Sequence, residues 1–191
     1  MPDHEGLNPA RVFLALWPDH AVQKRLAEEG GRLHSHLAGR LSRPDTLHLT
    51  LVFIGNLARA RLPELREALR SLASPGFQID FDRADCWRHN RIVYLAPGKP
   101  PDVLYMLVAS LEKTLDALAI PFDRRPYCPH VTLLRKAECQ KGNPAIGRVP
   151  DSPEWGDFAP IKWSARDFVL VESVSSTDGT RYQVLDRFLL S

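Results

Sequence analysis

Two short segments of this chain repeat one pattern, and this repeat restricts the fold more than any other feature of the sequence. His48-Leu49-Thr50-Leu51 and His130-Val131-Thr132-Leu133 both read H-x-T-L and begin 82 residues apart. In a chain of 191 residues with 7 His, two chance copies are very improbable. The repeat therefore predicts that two similar parts of the chain place equivalent residues at equivalent positions.

The elements predicted around the two motifs occur in the same order, which supports a duplicated unit. In each unit an apolar strand that ends at a proline precedes a helix with an apolar stripe, and the strand that carries the motif follows. The first unit comprises a strand at 11–18, a helix that starts at Pro18 and extends to Leu37, and a strand at 46–55. The second comprises a strand at 91–97, a helix at 103–118 and a strand at 129–134.

Further elements are predicted between and after these units. Leucines at helical spacing predict a helix at 62–72, and alternating polar and apolar residues predict one strand at 77–87. Residues 138–157 are rich in Gly, Pro and Asn, which is typical of a long loop that could cover a site as a lid. The segments 161–173 and 181–190 are expected to form a hairpin across Thr177-Asp178-Gly179.

Bulk composition excludes several classes of protein. With 44% hydrophobic and 25% charged residues the chain is typical of a globular domain, which excludes a disordered or collagen-like chain. A formal net charge of +2 argues against an extended coating of nucleic acid, although it permits recognition of one terminal phosphate. The N-terminal segment carries acidic residues where a signal peptide carries basic ones, and no apolar run approaches the about 18 residues of a membrane span.

The cysteines and the remaining histidines favour no metal site. Cys86, Cys128 and Cys139 are odd in number and form no C-x-x-C, so neither a disulfide framework nor a Cys-rich zinc site is indicated. His34-x-His36 and Cys86-x-x-His89 resemble fragments of metal sites, but no further ligands follow at a suitable spacing. We therefore expect no metal, no cofactor and a reducing, cytoplasmic setting.

The two motifs contain the groups that cleavage of a phosphodiester requires. Residues i and i+2 of a strand share a face, so each motif directs an imidazole and a hydroxyl to one side and two apolar residues to the other. In-line displacement at phosphorus needs a base for the attacking oxygen and an acid for the leaving one, and two histidines can hold these opposite protonation states at neutral pH. The threonine hydroxyls can donate to the non-bridging oxygens. No metal is required, because a cationic imidazolium and nearby arginines can stabilise the negative charge.

These motifs and their flanks resemble the two-histidine (2H) phosphoesterases, and specifically the LigT-like RNA 2′,3′-cyclic phosphodiesterases, also called RNA 2′,5′-ligases. The similar segments are RVFLALWP, RPDTLHLTLVFIG, RRPYCPHVTLLRKA and FVLVES, which together span nearly the whole chain. The resemblance implies an α+β fold of two similar lobes, related by a pseudo-twofold axis, whose antiparallel sheets face a central cleft with helices outside. Residues 1–191 are then one bilobal domain, with lobes centred on the motifs at 48–51 and 130–133.

The resemblance also implies an activity, which is hydrolysis of RNA 2′,3′-cyclic phosphate ends to 2′-phosphate ends. In the family's mechanism His48 is the proton donor to the departing 3′-oxygen, and His130 is the proton acceptor that activates water. Thr50 and Thr132 match the family's phosphate-binding hydroxyls, and Arg135 follows the second motif as family arginines often do. The partners implied are RNA ends or nucleotides with a 2′,3′-cyclic phosphate, without a membrane or an obligatory protein partner, and we expect a monomer.

Several residues near the motifs have two open interpretations. Arg125 and its neighbour Arg124 could bind phosphate, although surface arginines are usually only solvated. Phe53 and Tyr127 could stack on a base, although aromatic residues beside a strand more often belong to the core.

Two other functions use the same residues. The reverse reaction joins a cyclic phosphate end to a 5′-hydroxyl as a 2′,5′ bond and shares the transition state of hydrolysis. A non-catalytic module could bind RNA or a nucleotide in the same cleft. Paired acid and base groups argue against pure binding, because binding alone does not need them.

Overall fold

The computed structural model of the protein describes residues 8–139, 159–176 and 179–191, which form a mixed α+β fold. Three α-helices and ten strands follow one another in the described chain: β1 (Ala10–Leu16), α1 (His20–Leu37), β2 (Arg40–Leu41), β3 (Leu49–Leu57), α2 (Leu62–Arg70), β4 (Phe77–Phe81), β5 (Arg83–Trp87), β6 (Ile92–Ala96), α3 (Asp102–Ala117), β7 (Val131–Arg135), β8 (Ile161–Ala165), β9 (Asp167–Ser176) and β10 (Gly179–Leu189). Short 3-10 turns at Pro44–Thr46 and Arg59–Arg61 precede β3 and α2.

The strands form one large sheet that has two halves. Its order is β10-β9-β1-β3-β7-β6-β5, with the short β2 paired to β7, and its neighbouring strands are antiparallel. The halves meet between β3 and β7, where Leu49 and Val131 are the paired residues. The strands β4 and β8 form a separate antiparallel pair. Two sheet halves, each carrying one motif strand, confirm the expected α+β architecture of two lobes.

The helices cover the face of the sheet opposite the motif histidines. Helix α1 packs against β7 and β8, and α3 packs against β3. Their leucines share one core with Leu49, Leu51, Val131 and Leu133, the apolar positions of the two motifs. Because side chains alternate along a strand, the histidines and threonines face the other way.

Helix α1 begins two residues later than the sequence suggested. Its N-cap is Asp19, whose side chain accepts a hydrogen bond from the backbone nitrogen of Val22 at 2.9 Å, and the first helical residue is His20 rather than Pro18. The carboxylate of an N-cap Asp accepts a hydrogen bond from a free backbone N–H of the first turn. Proline has no side-chain oxygen and cannot act in this way. Gly30, which interrupts the apolar stripe, is buried where a Cβ atom would lie 3.1 Å from Leu41 Cδ1.

Two segments that were each expected to be one strand are two strands in different sheets. The segment 77–87 divides at Asp82, whose carboxylate accepts a hydrogen bond from Gly98 N at 2.5 Å. The segment 161–173 divides at Arg166, so β8 pairs with β4 while β9 pairs with β1 and β10. At each break two polar residues stand together, Asp82-Arg83 and Arg166-Asp167, so the alternation of polar and apolar residues is interrupted there. Treating each segment as one strand overlooked this change of phase.

The hairpin of β9 and β10 is confirmed by their antiparallel register. Its turn residues Thr177 and Asp178 lie outside the described residues. The same holds for nearly all of the expected lid, since residues 140–158 are not described. In the described ranges no helix combines the length and the apolar character needed to cross a bilayer.

The cysteine count and spacing indicated no disulfide framework, but the structure contains one disulfide. Cys86 and Cys139 are joined, with their Cα atoms 6.4 Å apart, and Cys128 is free. An odd count does not preclude one pair, and the antiparallel course of β5, β6 and β7 brings together two residues that are 53 positions apart in the sequence. The inference of a reducing compartment from cysteine usage therefore loses its basis.

Candidate active site

A cavity of about 620 Å³ lies where the two halves of the sheet meet. Both halves contribute to its wall, and every residue of the two motifs with a polar side chain belongs to it. The sequence-predicted residues that line it are His48, Thr50, Phe53, His130, Thr132 and Arg135. The structure thus brings both histidines and both threonines of the motifs into one site, together with two of the additional candidates, Phe53 and Arg135.

The register between the halves explains how the motifs come together. Leu49 and Val131, which are paired, are the equivalent second residues of the two motifs. Because the pairing is antiparallel, extending it by one residue sets His48 opposite Thr132 and Thr50 opposite His130. Each imidazole therefore starts beside the hydroxyl of the other motif, as a pseudo-twofold relation requires.

Both imidazoles are held by a backbone carbonyl two residues earlier. His48 Nδ1 lies 2.7 Å from the Thr46 oxygen, and His130 Nδ1 lies 2.8 Å from the Cys128 oxygen. A carbonyl oxygen can only accept, so Nδ1 carries the proton in each ring. Nε2 is then the atom that gains or loses a proton, and the same tautomer is fixed in both motifs.

Aromatic side chains enclose His48 on several sides. Trp17 stacks on the ring, with 5.4 Å between centroids and 5° between planes. Phe13 and Tyr182 contact the ring at centroid distances of 5.0 and 5.1 Å. Sequence reasoning missed these residues. Alternation along β1 was the available signal, because Phe13 and Trp17 fall on the face opposite the core positions of that strand.

A second aromatic group surrounds His130. Trp87 and Tyr94, from β5 and β6, contact its ring edge-on at centroid distances of 4.4 and 5.6 Å. These two residues were also missed, because their approach to His130 depends on the order of strands in the sheet. The two histidines therefore have equivalent backbone anchors but different neighbours.

Enclosure lowers the pKa of both histidines. Burial lowers the pKa of His48 to about 4, opposed by the hydrogen bond to Thr46 and reinforced by the positive charges of His130 and Arg135. Burial also lowers the pKa of His130, again opposed by its carbonyl partner and reinforced by Arg135. Both rings are consequently neutral at neutral pH when the cavity holds no anion, and a bound phosphate supplies the charge that favours their protonation.

The cavity wall is basic. Four arginines line it, and none of the described lining residues is acidic; the four are Arg11, Arg40, Arg43 and Arg135. Arg135 is close enough to both histidines to lower the pKa of each. Such a site favours a ligand with negative charge.

Two of the sequence-predicted candidates lie away from the cavity. Arg125 is exposed and pairs with Asp123. Tyr127 packs edge-on against Tyr105 of α3 at a centroid distance of 5.9 Å, and burial raises the pKa of its hydroxyl. Arg124 pairs with Asp116. The segment before the second motif passes over α3, which a linear pattern does not reveal.

Phe53 lies in the cavity wall, where the Arg11 guanidinium sits 5.3 Å from its ring centroid. The metal-like fragments have other roles, since His34 Nε2 hydrogen-bonds to the Gly39 carbonyl and Cys86 is in the disulfide. Among the described residues no group of three or more His, Cys, Asp or Glu side chains is placed to hold a metal ion.

The chain matches known proteins over nearly its whole length. The family model described as LigT like Phosphoesterase matches twice, at residues 16–94 and 95–182, so each copy contains one motif. The RNA 2′,3′-cyclic phosphodiesterase of Escherichia coli (strain K12) is 28% identical over 183 residues, which are 96% of this chain and 98% of that protein. The protein of the same name from Bacillus subtilis (strain 168) is 31% identical over 153 residues, covering 78% and 79% of the two chains.

Solved structures agree with these sequence matches. Escherichia coli LigT complexed with 3′-AMP superposes with a TM-score of 0.82 at 27% identity, covering 96% of this chain and 99% of that one. The apo form of the same protein gives a TM-score of 0.79 with the same coverage. This chain therefore belongs to the LigT like phosphoesterases, a family of two-histidine enzymes, and carries one copy of the family model in each half.

Proposed function

We propose that this protein hydrolyses 2′,3′-cyclic phosphate ends of RNA to 2′-phosphate ends, with His48 and His130 as its acid and base. The observation that carries the proposal is the pair of imidazoles, each anchored through Nδ1, that share one basic cavity with two threonines. The names of the curated relatives, RNA 2′,3′-cyclic phosphodiesterase, support the same substrate.

The reaction is an in-line displacement at phosphorus. His130 Nε2 accepts a proton from water as the water oxygen bonds to phosphorus. His48 Nε2–H donates a proton to the 3′-oxygen as the bond from phosphorus to that oxygen breaks. The product carries a 2′-phosphate and a 3′-hydroxyl. The division of roles between the rings follows the order of the motifs in the family.

The other cavity groups stabilise the negative charge on phosphorus oxygens. Thr50 and Thr132 donate through their hydroxyls to the two non-bridging oxygens, and the register that sets each threonine opposite a histidine supports this placement. Arg135 adds a positive charge beside both rings. No step needs a metal ion.

Substrate binding and protonation are coupled in this scheme. A proton donor must carry its proton before it reacts, yet burial lowers the pKa of His48 to about 4 in the empty cavity. The anionic phosphate offsets this effect, because an opposite charge within hydrogen-bond distance favours the imidazolium. His48 therefore takes up its proton as the substrate binds.

The proposal extends to the whole chain. Residues 1–191 act as one bilobal domain, supported by the shared cavity between the halves, and the enzyme works as a monomer on RNA ends. The cytoplasm is proposed from the RNA substrate and not from the cysteines, two of which form a disulfide. Light scattering after gel filtration tests the monomer, and fractionation of cells tests the compartment.

The position of the phosphate in the product tests the reaction. An RNA oligonucleotide that ends in a 2′,3′-cyclic phosphate is incubated with the protein and EDTA, and the product is identified by ³¹P NMR. We expect a 2′-phosphate. A 3′-phosphate contradicts the assigned leaving group, and an unchanged substrate supports the non-catalytic alternative. A second RNA with a 5′-hydroxyl end detects the reverse joining reaction, which uses the same groups.

A further inference from the structure

The cavity holds more positive charge than a cyclic phosphate requires. A 2′,3′-cyclic phosphodiester carries one negative charge, whereas four arginines line the cavity without an acidic lining residue in the described chain. Two of the four have other contacts, since Arg43 forms an ion pair with Asp45 at 3.0 Å and Arg11 lies over Phe53. Arg40 and Arg135 remain, and they face each other.

Arg40 and Arg135 are directly paired residues of β2 and β7. Their Cβ atoms are thereby held at the spacing of a cross-strand pair, about 4.5–5.5 Å. Two like charges in this position destabilise a sheet, and across the described ranges neither arginine has an acidic partner. An anion that lies between or beside the two guanidinium groups would relieve this repulsion.

The local backbone is built to hold Arg40 at this place. Gly39 has φ +91°, and a Cβ atom there would lie 2.8 Å from the Arg135 carbonyl oxygen and 2.9 Å from Ala137 Cα. The segment therefore runs against β7 at a distance that only glycine allows. On the other side of Arg40, the backbone nitrogen of Ser42 donates to the Leu133 oxygen at 2.8 Å. Both ends of the segment are thus fixed to the motif strand.

The two arginines differ in their distance from the histidines. Arg135 lowers the pKa of both rings, while Arg40 does not contribute to either shift. Arg135 therefore serves the phosphate that lies between the rings. Arg40 lines the same cavity from β2, which pairs with β7 at Leu134 and Arg135, beyond the Leu49–Val131 pair that joins the two motifs. A second phosphate of the same ligand would lie at this end of the cavity.

We infer that Arg40 binds the phosphate on the 5′ side of the terminal nucleotide, which makes an RNA end, rather than a cyclic mononucleotide, the preferred substrate. This inference rests on the proposed function for its substrate and on the Arg40–Arg135 pair for its site. The ligand class is a nucleotide with a 5′-phosphate or 5′-phosphodiester and a second phosphate at its 2′,3′ edge.

Turnover of three substrates tests the inference. The substrates are adenosine 2′,3′-cyclic phosphate, the same nucleotide with a 5′-phosphate, and a dinucleotide that ends in the cyclic phosphate. We expect the wild-type kcat/KM to rise by about tenfold or more when the 5′-phosphate is added, as a charged hydrogen bond supplies. In Arg40→Ala the 5′-phosphate should no longer raise kcat/KM. The substitution should therefore lower kcat/KM about tenfold more for the two substrates with a 5′-phosphate group than for adenosine 2′,3′-cyclic phosphate. A gain with the dinucleotide alone assigns the effect to the second nucleoside and overturns the inference.

Salt dependence and matched variants test whether the charge of Arg40 causes the higher kcat/KM on substrates with a 5′-phosphate. One lost phosphate contact should reduce the slope of log kcat/KM against log salt by about 0.7 in Arg40→Ala, and Arg40→Lys should keep most of the slope. The control is Lys113→Ala, which removes one positive charge from the exposed side of α3, outside the cavity. It should change neither the ratio of kcat/KM with and without the 5′-phosphate nor the slope against salt. Circular dichroism melts confirm that each variant is folded. Equal losses on all three substrates, or no loss, overturn the inference.

A binding measurement separates this inference from the proposed function. Calorimetry compares 3′-AMP with adenosine 3′,5′-bisphosphate, neither of which is turned over. Wild type should bind the bisphosphate about tenfold more tightly, and Arg40→Ala should bind the two equally. If no cyclic phosphate is hydrolysed, the proposed function fails, while this comparison still decides the role of Arg40. Equal affinities in wild type overturn the inference even if hydrolysis is observed.

Discussion

His48 and His130 show how much of a catalytic group is determined by its immediate surroundings. A carbonyl two residues earlier fixes the tautomer of each ring, and the aromatic enclosure lowers the pKa of both. The lowered pKa of His48 also costs stability in acid. Its unfolded state binds the proton more strongly than the folded state, so the free energy of unfolding decreases as pH falls from about 6.5 to about 4.

Titration of the histidines by NMR tests their lowered pKa values and their tautomer. With ¹⁵N-labelled protein, we expect His48 to titrate near pH 4 in the empty cavity. Addition of 3′-AMP should raise the pKa of both His48 and His130, since its phosphate places negative charge beside the rings. Nε2 should be the titrating atom in both. The exposed His89 provides the control that should not respond to the nucleotide. An unperturbed His48 in the free protein, or no response to 3′-AMP, contradicts this description.

At the residue scale the sequence predicted the groups that repeat, together with Phe53 and Arg135 beside them, and missed most of the other residues around the two histidines. The four motif residues were predicted because a duplicated pattern singles them out. Arg40, Trp17 and Trp87 belong to no repeated pattern. Arg40 lines the cavity, and the two tryptophans contact the rings of His48 and His130. Tyr127 is near the motif in sequence, but its side chain packs on α3.

Among the elements, the strands and helices that flank the motifs were predicted well because their periodicity is strong. The errors occur at two places where a pair of polar residues interrupts the alternation, Asp82-Arg83 and Arg166-Asp167. Asp82 and Arg166 each separate two strands that enter different sheets, and neither place contains the glycine or proline that usually marks a turn. The short strand β2 was not predicted, since its two residues pair with β7 only because Gly39 permits the close approach.

Glycine substitutions test the importance of that approach. Gly39→Ala should destabilise the protein by about 1–3 kcal/mol, because alanine must adopt a left-handed φ and its Cβ meets the backbone of β7. It should also reduce activity on RNA ends, because Arg40 follows directly. Gly31→Ala is the matched control within α1. No atom lies within 4 Å of a Cβ there, so it should stabilise the helix by about 0.5–1 kcal/mol. Urea denaturation measures both, and equal effects of the two substitutions contradict the proposed role of Gly39.

On the scale of the whole molecule, the site exists only because two similar halves meet. Leu49 and Val131 join them at the pseudo-twofold relation, and the cavity takes its walls from both sides. The duplication could be inferred from the sequence, because motif spacing and element order repeat. The disulfide could not, because its partners become neighbours only after three strands have paired.

The disulfide yields a prediction for the stability of the folded chain. Cys86 and Cys139 close a loop of 53 residues, which in the chain-entropy model stabilises the folded state by about 4 kcal/mol. Reduction with dithiothreitol should therefore lower the melting temperature of the oxidised protein. The double variant Cys86→Ala/Cys139→Ala should melt at the lower temperature with or without reductant. Thiol titration of the unfolded, unreduced protein should find one free cysteine, Cys128, and three free thiols contradict the pairing.

The most direct test of two-histidine hydrolysis is the kcat/KM of His48→Ala, His130→Ala and the double variant on RNA with a 2′,3′-cyclic phosphate end, measured in EDTA. Each single substitution should lower kcat/KM by about 10²–10⁴, the usual contribution of one acid or base. The double variant should lose little more, because groups that act as a unit are not additive. Calorimetry with 3′-AMP should show that nucleotide binding is largely kept. Full activity in either single variant, or activity that disappears in EDTA with wild-type protein, contradicts the two-histidine mechanism.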